Sequence, residues 1–269
     1  MRRRRAGRAA TLLGALLGWV LIAPAPAPAQ TIVTYNIHAG KDADGKANLV
    51  RVAAALDTVG ADVVLLQEVD RGTRRSGGED QLATLERLTG LHGAFARSLD
   101  FQGGAYGIAV LSRWPIARAE TLPLPAEPPQ ERAGGAYEPR VALFAELTTP
   151  AGTLHVVNTH LGAGSGTYRR QELVALLAGI HRRIPAGAAL VVGGDFNAAP
   201  ESDVYGAVTL SLDDAWAACG DGPGYTYPAA EPDRRIDYLF LRAVACATAA
   251  VCPGAASDHR ALVVELGPR

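Results

Sequence analysis

The residues with the clearest chemical potential are Gly194-Asp195-Phe196-Asn197, at the end of the aliphatic run Ala189 to Val192. Such a run reads as a short strand buried in a sheet. On an extended chain Asp195 and Asn197 share a face, while Phe196 points into the opposite layer. The two glycines before Asp195 let backbone or ligand approach closely. A carboxylate and a carboxamide so placed can orient water, hold a phosphate oxygen or bind a cation; the plain alternative is a strand end closed by an Asx turn. The pattern recurs. Asn36, Glu68, Arg140, Asn158, His160, Asp237, Asp258 and His259 also sit at or in apolar runs. Buried charge is costly unless paired or metal-bound, so these residues are expected to collect in one site. Oxygen-rich donors without cysteine suit a hard cation such as Mg²⁺ or Mn²⁺ rather than zinc.

The elements that must position these residues follow from periodicity. Thr31 to Ile37 alternates as a strand, with Ile32, Thr34 and Asn36 on one face. Asn48 to Val59 has helical spacing and stops at Gly60; Asp62 to Leu66 is a buried strand ending in Gln67-Glu68. A polar loop, Arg71 to Gly78, leads to a helix over 79–89. Strands are expected near 94–97, 106–111 and 116–122. Pro123 to Pro139 is a long proline- and glycine-rich loop, and the end of the preceding strand together with this loop (122–137) suits a lid. Strands over 140–147 and 153–160 precede the longest helix, 168–184, whose apolar stripe is Leu173, Leu176, Leu177 and Ile180. A short helix near 201–210, a loop around Tyr225-Thr226-Tyr227, and strands over 236–241, 243–251 and 261–266 complete the chain. One sheet cannot hold so many strands comfortably; two stacked sheets with helices outside can.

With 269 residues, 48% hydrophobic and 20% charged, the chain can bury a sizeable core. No linker separates self-sufficient halves, so one domain, 30–269, is expected. Met1 to Ala29 reads as a signal peptide: an arginine-rich start, an apolar run from Thr11 to Ala23, and small residues Ala27-Pro28-Ala29 before Gln30. That run is short for a bilayer span of about 20 residues. The expectation is an exported protein, periplasmic or extracellular, without stable membrane insertion after cleavage. Removal takes five arginines and no acids, lowering the net charge from −1 to −6. Such a balance argues against general attraction to a phosphate backbone, though not against a local basic rim. Cys219, Cys246 and Cys252 lack the spacing of a zinc site. In an oxidising compartment they predict one disulfide and one remaining thiol, with the pairing open.

Six short motifs occur in order: Thr34-Tyr35-Asn36, Leu66-Gln67-Glu68-Val69, Asn158-Thr159-His160-Leu161, Gly194-Asp195-Phe196-Asn197, Arg235-Ile236-Asp237-Tyr238 and Ser257-Asp258-His259-Arg260. Each is weak alone; the ordered set resembles the endonuclease/exonuclease/phosphatase superfamily over nearly all of Thr31 to Leu266. The resemblance implies a four-layered α/β sandwich with two stacked mixed sheets and the site at one sheet edge. It implies Glu68 as the main metal ligand, with Asn36 and Asp258 beside it. It implies His259 at the attack geometry, oriented by Asp237, and Asp195 as the residue that orients or deprotonates water. Asn197 would hold a phosphate oxygen or place Asp195, and His160 would be a phosphate donor or general acid. Arg140 would clamp the phosphate, with Asn158 and Tyr106 as further substrate-side residues. Each also has a structural alternative, since buried carboxamides and imidazoles often satisfy backbone groups. His38, His92, His155 and His181 match no motif and read as loop, surface or packing residues. Many small bacterial members carry Tyr-Gly-Asn-Ala where this chain has Tyr106-Gly107-Ile108-Ala109, which weakens the reading of Tyr106 but not of the metal centre.

The resemblance implies metal-dependent hydrolysis of a phosphate ester by a monomeric enzyme and leaves the leaving group open. Nucleic acid and phospho-headgroups are both candidate substrates. Alternatives are a phospholipid or glycosylphosphatidylinositol-type phosphodiesterase, or a catalytically silent binding module. Arg71, Arg74 and Arg75 follow the Glu68 strand and either flank the site or form a solvated charge run. Aromatic residues make up 6% and do not interleave with basic ones, so a stacking platform for single strands has no support.

Overall fold

The computed structural model describes residues 29–129 and 138–267. The expected signal peptide up to Pro28, and residues 130–137 of the expected lid, lie outside this range. One sheet holds β1 (Gln30–Asn36), β2 (Val63–Arg71), β3 (His92–Phe101), β4 (Gly104–Ser112), β11 (Cys246–Val251) and β12 (Leu262–Leu266), in the order β11-β12-β1-β2-β4-β3. The other holds β5 (Ile116–Leu124), β6 (Arg140–Thr149), β7 (Gly152–His160), β8 (Leu190–Asp195), β9 (Asp213–Asp214) and β10 (Asp237–Arg242), in the order β5-β6-β7-β8-β10-β9. Each sheet has one parallel pair near its middle, β1 with β2 and β7 with β8; the other pairings are antiparallel.

Strand alternation builds the layers. Ile32, Leu65, Val110, Leu143, Val156, Val191 and Leu239 point inward and form the core between the sheets. Their neighbours point outward. Val33, Val64 and Leu66 pack beneath α1 (Leu49–Thr58) and α2 (Gln81–Thr89), against Val52, Leu56 and Leu85. Val157, Val192 and Phe196 pack beneath α3 (Gly166–Arg183) and α4 (Asp203–Thr209), against Leu173, Leu176, Ile180 and Val204. The result is the expected α/β/β/α sandwich. Among the described residues no helix is long and apolar enough to cross a membrane.

Sequence periodicity misses the short helix α5 (Ala215–Cys219) and the two-residue β9 before it. Five residues span less than two turns, too few for a period to appear; the helix is held by Asp214, which accepts from Trp216 N at 3.0 Å. The expected strand over 243–251 begins later, at Cys246. Cys246 is bridged to Cys219, and Cys252 is the free thiol.

Candidate active site

His160, Asp195 and Asp237 stand in register across three adjacent strands: His160 is paired with Asp195, and Asp195 with Asp237. Neighbouring strands lie about 4.8 Å apart, so three side chains on one face line up as a row. They continue the inward-facing series of Val156, Val191 and Leu239. The apolar core ends here and polar groups take over. Gly194 makes the approach feasible: its φ of +135° and the nearness of the Thr159 carbonyl leave no room for a Cβ.

From the other sheet, Asn36 ends β1 and Glu68 lies within β2. Simple alternation would send Glu68 outward with Val64 and Leu66. A bulge intervenes: the register with β4 shifts between Leu66 and Val69, and Glu68 takes the left-handed conformation at φ +57°. Val69 then rejoins the outer apolar layer, and Glu68 lines the cleft instead.

The site centres on the Asp195 carboxylate. Its Oδ2 accepts from Asn36 Nδ2 at 3.1 Å and lies 3.5 Å from His160 Nε2 and 3.7 Å from His259 Nε2. Its Oδ1 accepts from the Asn197 backbone N–H at 2.9 Å. Burial, then the nearby Asp237 carboxylate, pushes the Asp195 carboxyl up to about 7, against the pull of His259 and its hydrogen bonds. His259 Nδ1 is 2.9 Å from Asp237 Oδ2. Burial works against the imidazolium, but the charge and hydrogen bond of Asp237, with Asp195 and Asp258, outweigh it and raise His259 to about 10. The Tyr227 ring lies against the imidazole, tilted by 49° with 4.7 Å between ring centres.

His160 is held differently. Burial, with the charges of Arg140 and His259, keeps its pKa well below the usual imidazole value, so the ring is neutral. Asn197 donates from Nδ2 to His160 Nε2 at 3.1 Å and to the Leu161 carbonyl at 2.9 Å. An accepting Nε2 places the proton on Nδ1, which is buried without a partner among the described residues. Arg140 is buried and paired with Glu138 at 3.2 Å. Burial opposes its charge, and Tyr106, Glu138, Glu172 and Glu68 outweigh that penalty. Burial and the Glu68 charge hold the Tyr106 phenol well above its usual pKa.

These groups open on a cleft of about 630 Å³ across the ends of both sheets. Asn158 departs from the sequence expectation: it does not line the cleft. Its Nδ2 donates to the carbonyls of Leu66 and Ala109, each at 2.8 Å, and its Oδ1 accepts from Gln67 Nε2 at 2.8 Å. Both ends of the carboxamide are occupied, and they bridge the two sheets. Asn36 ends β1 with both ends of its carboxamide engaged. Its Oδ1 accepts the His38 N–H at 3.1 Å, while Nδ2 donates to Glu68 Oε1 and Asp195 at 3.1 Å each. It aligns the carboxylates of Glu68 and Asp195.

Glu68 and Asp258 fit a hard cation. Both are carboxylates lining the cleft, and among the described residues Glu68 has no ion pair while Asp258 lies 3.7 Å from His38 and accepts from Ser257 Oγ at 3.2 Å. Asp195, Asp237 and His259 also offer donor atoms, all within 4.8 Å of one another. The raised pKa of His259 and its hydrogen bond to Asp237 work against a cation there. Sequence reasoning gave no role to several cleft residues. Arg169 sits on α3 a few positions past the His160 motif, and Tyr227 and Arg234 come from a loop; His38, behind the cleft wall, lies 3.7 Å from Asp258. Arg75 does reach the cleft, but Asp70 takes its Nε and Nη2 at 2.7 and 2.8 Å; Arg71 pairs with Asp80.

A family model described as "Endonuclease/Exonuclease/phosphatase family" matches residues 33–259. The chain is 26% identical over 250 residues to the uncharacterised protein YbhP of Escherichia coli (strain K12), covering 87% of this chain and 95% of that one. An endonuclease/exonuclease/phosphatase structure from Beutenbergia cavernae is 26% identical, with a TM-score of 0.73 over 89% of this chain and 72% of that one. The mannosyl-6-phosphatase Bt3783 of Bacteroides thetaiotaomicron shares the fold at 16% identity, with a TM-score of 0.74 over 88% of this chain and 99% of that one. Fold, match and clustered acid–base groups agree: this chain belongs to the endonuclease/exonuclease/phosphatase family, whose members hydrolyse phosphate esters.

Proposed function

We propose that the protein hydrolyses a phosphate diester, of a nucleic acid or a phospho-headgroup, by in-line attack of water, with Mg²⁺ or Mn²⁺ held by Glu68 and Asp258. The observation that carries this reading is the Asp195 carboxylate, raised to about 7 and set between the two histidines. A carboxyl with that pKa can accept the proton of an attacking water near neutral pH. The water oxygen bonds to phosphorus as the bond to the leaving oxygen breaks. His259, kept protonated by Asp237, donates to the phosphoryl oxygens as their charge grows. Buried Arg140 adds a charged donor on the β6 side, and neutral His160 borders the Asp195 carboxylate through Nε2. A bound cation supplies charge stabilisation at a phosphoryl oxygen.

The reading includes export of the chain from Gln30 onward, supported by the composition of residues 1–29. The exposed large apolar side chains among the described residues, Val50, Leu88, Val174, Leu210 and Tyr225, are scattered over separate elements. Their scatter gives a lipid-inserting alternative no patch to rest on. The test is an assay of the protein with Mg²⁺ or Mn²⁺ on plasmid DNA, RNA, a generic phosphodiester, a phosphomonoester and phospholipid vesicles, with a chelator control. Asp195→Ala and His259→Ala should each lose about two to four powers of ten in rate. Near-wild-type rates in either variant, or binding without turnover on every substrate, would overturn the assignment.

A further inference from the structure

Four arginines line the cleft, and their charges are not equally available. Arg75 is neutralised by a two-point pair with Asp70, Arg140 is paired with buried Glu138, and Arg234 is paired with Asp233 at 3.2 Å while lying over the Tyr227 ring. Arg169 differs. Its Nη1 donates to the carbonyls of Gly162 and Ala163, at 2.8 and 3.1 Å, and it has no ion pair among the described residues. The nearby carboxylate of Glu172 accepts the Gly162 N–H at 2.7 Å instead. Two carbonyls thus fix the guanidinium, and the Glu172 carboxylate attracts its charge from beyond ion-pair distance. Among the described residues Nε and Nη2 have no hydrogen-bond partner, and they form the planar fork that suits a phosphate.

Position gives this charge a meaning. Gly162 and Ala163 directly follow His160 and Leu161, whose backbone is tied to the reacting centre by Leu161 N donating to the Asp195 carbonyl at 2.9 Å. Three Cα steps of about 3.8 Å place Ala163 no more than about 11 Å from His160. An anchor at that range reaches a group next to the scissile phosphate. Arg140, itself buried with an unpartnered Nε, occupies the nearer position.

We propose that Arg169 reads a second phosphate on the substrate, adjacent to the diester that is cleaved, and so selects multiply phosphorylated substrates over isolated diesters. The proposal rests on the phosphodiester reading above. A nucleotide chain and a phosphorylated polyol headgroup share this chemistry, and the test separates them. The measured quantity is the ratio of kcat/KM for a diester with an added neighbouring phosphate to that for the plain diester. One arm compares the thymidine dinucleotides pTpT and TpTp with TpT; the other compares glycerophosphoinositol with its ring-phosphorylated form.

Wild-type protein should prefer the extra phosphate by roughly tenfold in one arm, the value of one charged hydrogen-bond anchor. Arg169→Gln keeps an N–H for the carbonyls but not the charge, and should bring the ratio to about one. Arg169→Lys should retain part of the preference. If Arg169 only secures the segment at 162–163, Arg169→Gln will lower both substrates alike and leave the ratio intact, which overturns the proposal. Absence of any wild-type preference overturns it too. Calorimetric binding of pTpT, TpTp and TpT in chelator needs no turnover and gives a second readout. There Arg169→Gln should abolish the added affinity for the phosphorylated dinucleotide and reduce the salt-dependence slope by about 0.7. Retention of both by the variant rejects the role of Arg169. Absence of turnover with intact phosphate selectivity rejects the catalytic reading instead.

Discussion

At the scale of single residues, the site depends on two groups held in opposite charge states. Asp195 has to be ionised to accept a proton, and His259 has to be protonated to donate. Asp195 becomes ionised as pH rises through about 7, and His259 loses its proton as pH rises through about 10. The expected pH profile of kcat/KM is therefore a bell between those limits. The Asp237 carboxylate raises both groups, so Asp237→Asn should move both limbs to lower pH, the alkaline limb by more than about one unit. An alkaline limb unchanged in that variant would assign the titration to another group. The identities of Asp195, Asp237 and His259 were legible in the sequence, because Asp195 closes an apolar run, Asp237 opens one and His259 precedes one, each in a recognisable motif. The state of His160 was not. Whether an imidazole serves as acid or as neutral donor depends on Arg140, His259 and Asn197, which reach it from other strands and loops.

At the scale of elements, the Asn158 carboxamide clasps the sheets together beside the site. Asn158, on β7, satisfies the Leu66 carbonyl of β2, the Ala109 carbonyl of β4 and the Gln67 amide. Asn158→Ala would take the side-chain donor from two buried carbonyls, each costing about 1–3 kcal/mol, while the Gln67 amide keeps Leu65 O and Thr34 Oγ1, so a loss of about 2 kcal/mol or more is expected from denaturant unfolding. Asn158→Asp should be no better, since it turns a carboxylate toward two carbonyl oxygens. A cost below about 1 kcal/mol for Asn158→Ala would show that the clasp does not hold the sheets together. The sequence placed Asn158 on one face with His160, and that alternation is correct. The error lay in depth: two residues back from the strand end, the same face lies inside the sandwich. Glu68 shows the converse. Its place in the site needs a bulge, and a bulge leaves no trace in hydrophobic period.

At the scale of the whole molecule, the sandwich is fastened differently at its two ends. At the site end the sheets meet through Asn158, Asn36 and Asp195; at the other, Gln30 Nε2 donates to Thr149 Oγ1 at 2.9 Å. The Cys219–Cys246 bridge belongs to this second end, because Cys246 pairs with Leu266, which in turn pairs with Gln30 at the start of β1. It joins α5, which follows the β9 edge of one sheet, to β11 at the edge of the other. The six residue steps from Gln30 to Asn36 put it about 20 Å from the chemistry. That a bridge forms is legible from three cysteines behind an export-like leader, whereas its pairing needs the two edges to be brought together. Closing a loop across a separation of 27 residues restricts the unfolded chain by about 3.5 kcal/mol. Protein recovered from an oxidising compartment should therefore show one free thiol, Cys252, when denatured without reductant. Its reduced form should unfold about 3 kcal/mol more easily yet keep kcat within about twofold, since no hydrogen bond of the site passes through either bridged cysteine. Three free thiols would remove the bridge, and a kcat that fell together with stability would mean that the far end of the sandwich governs the geometry around Asp195.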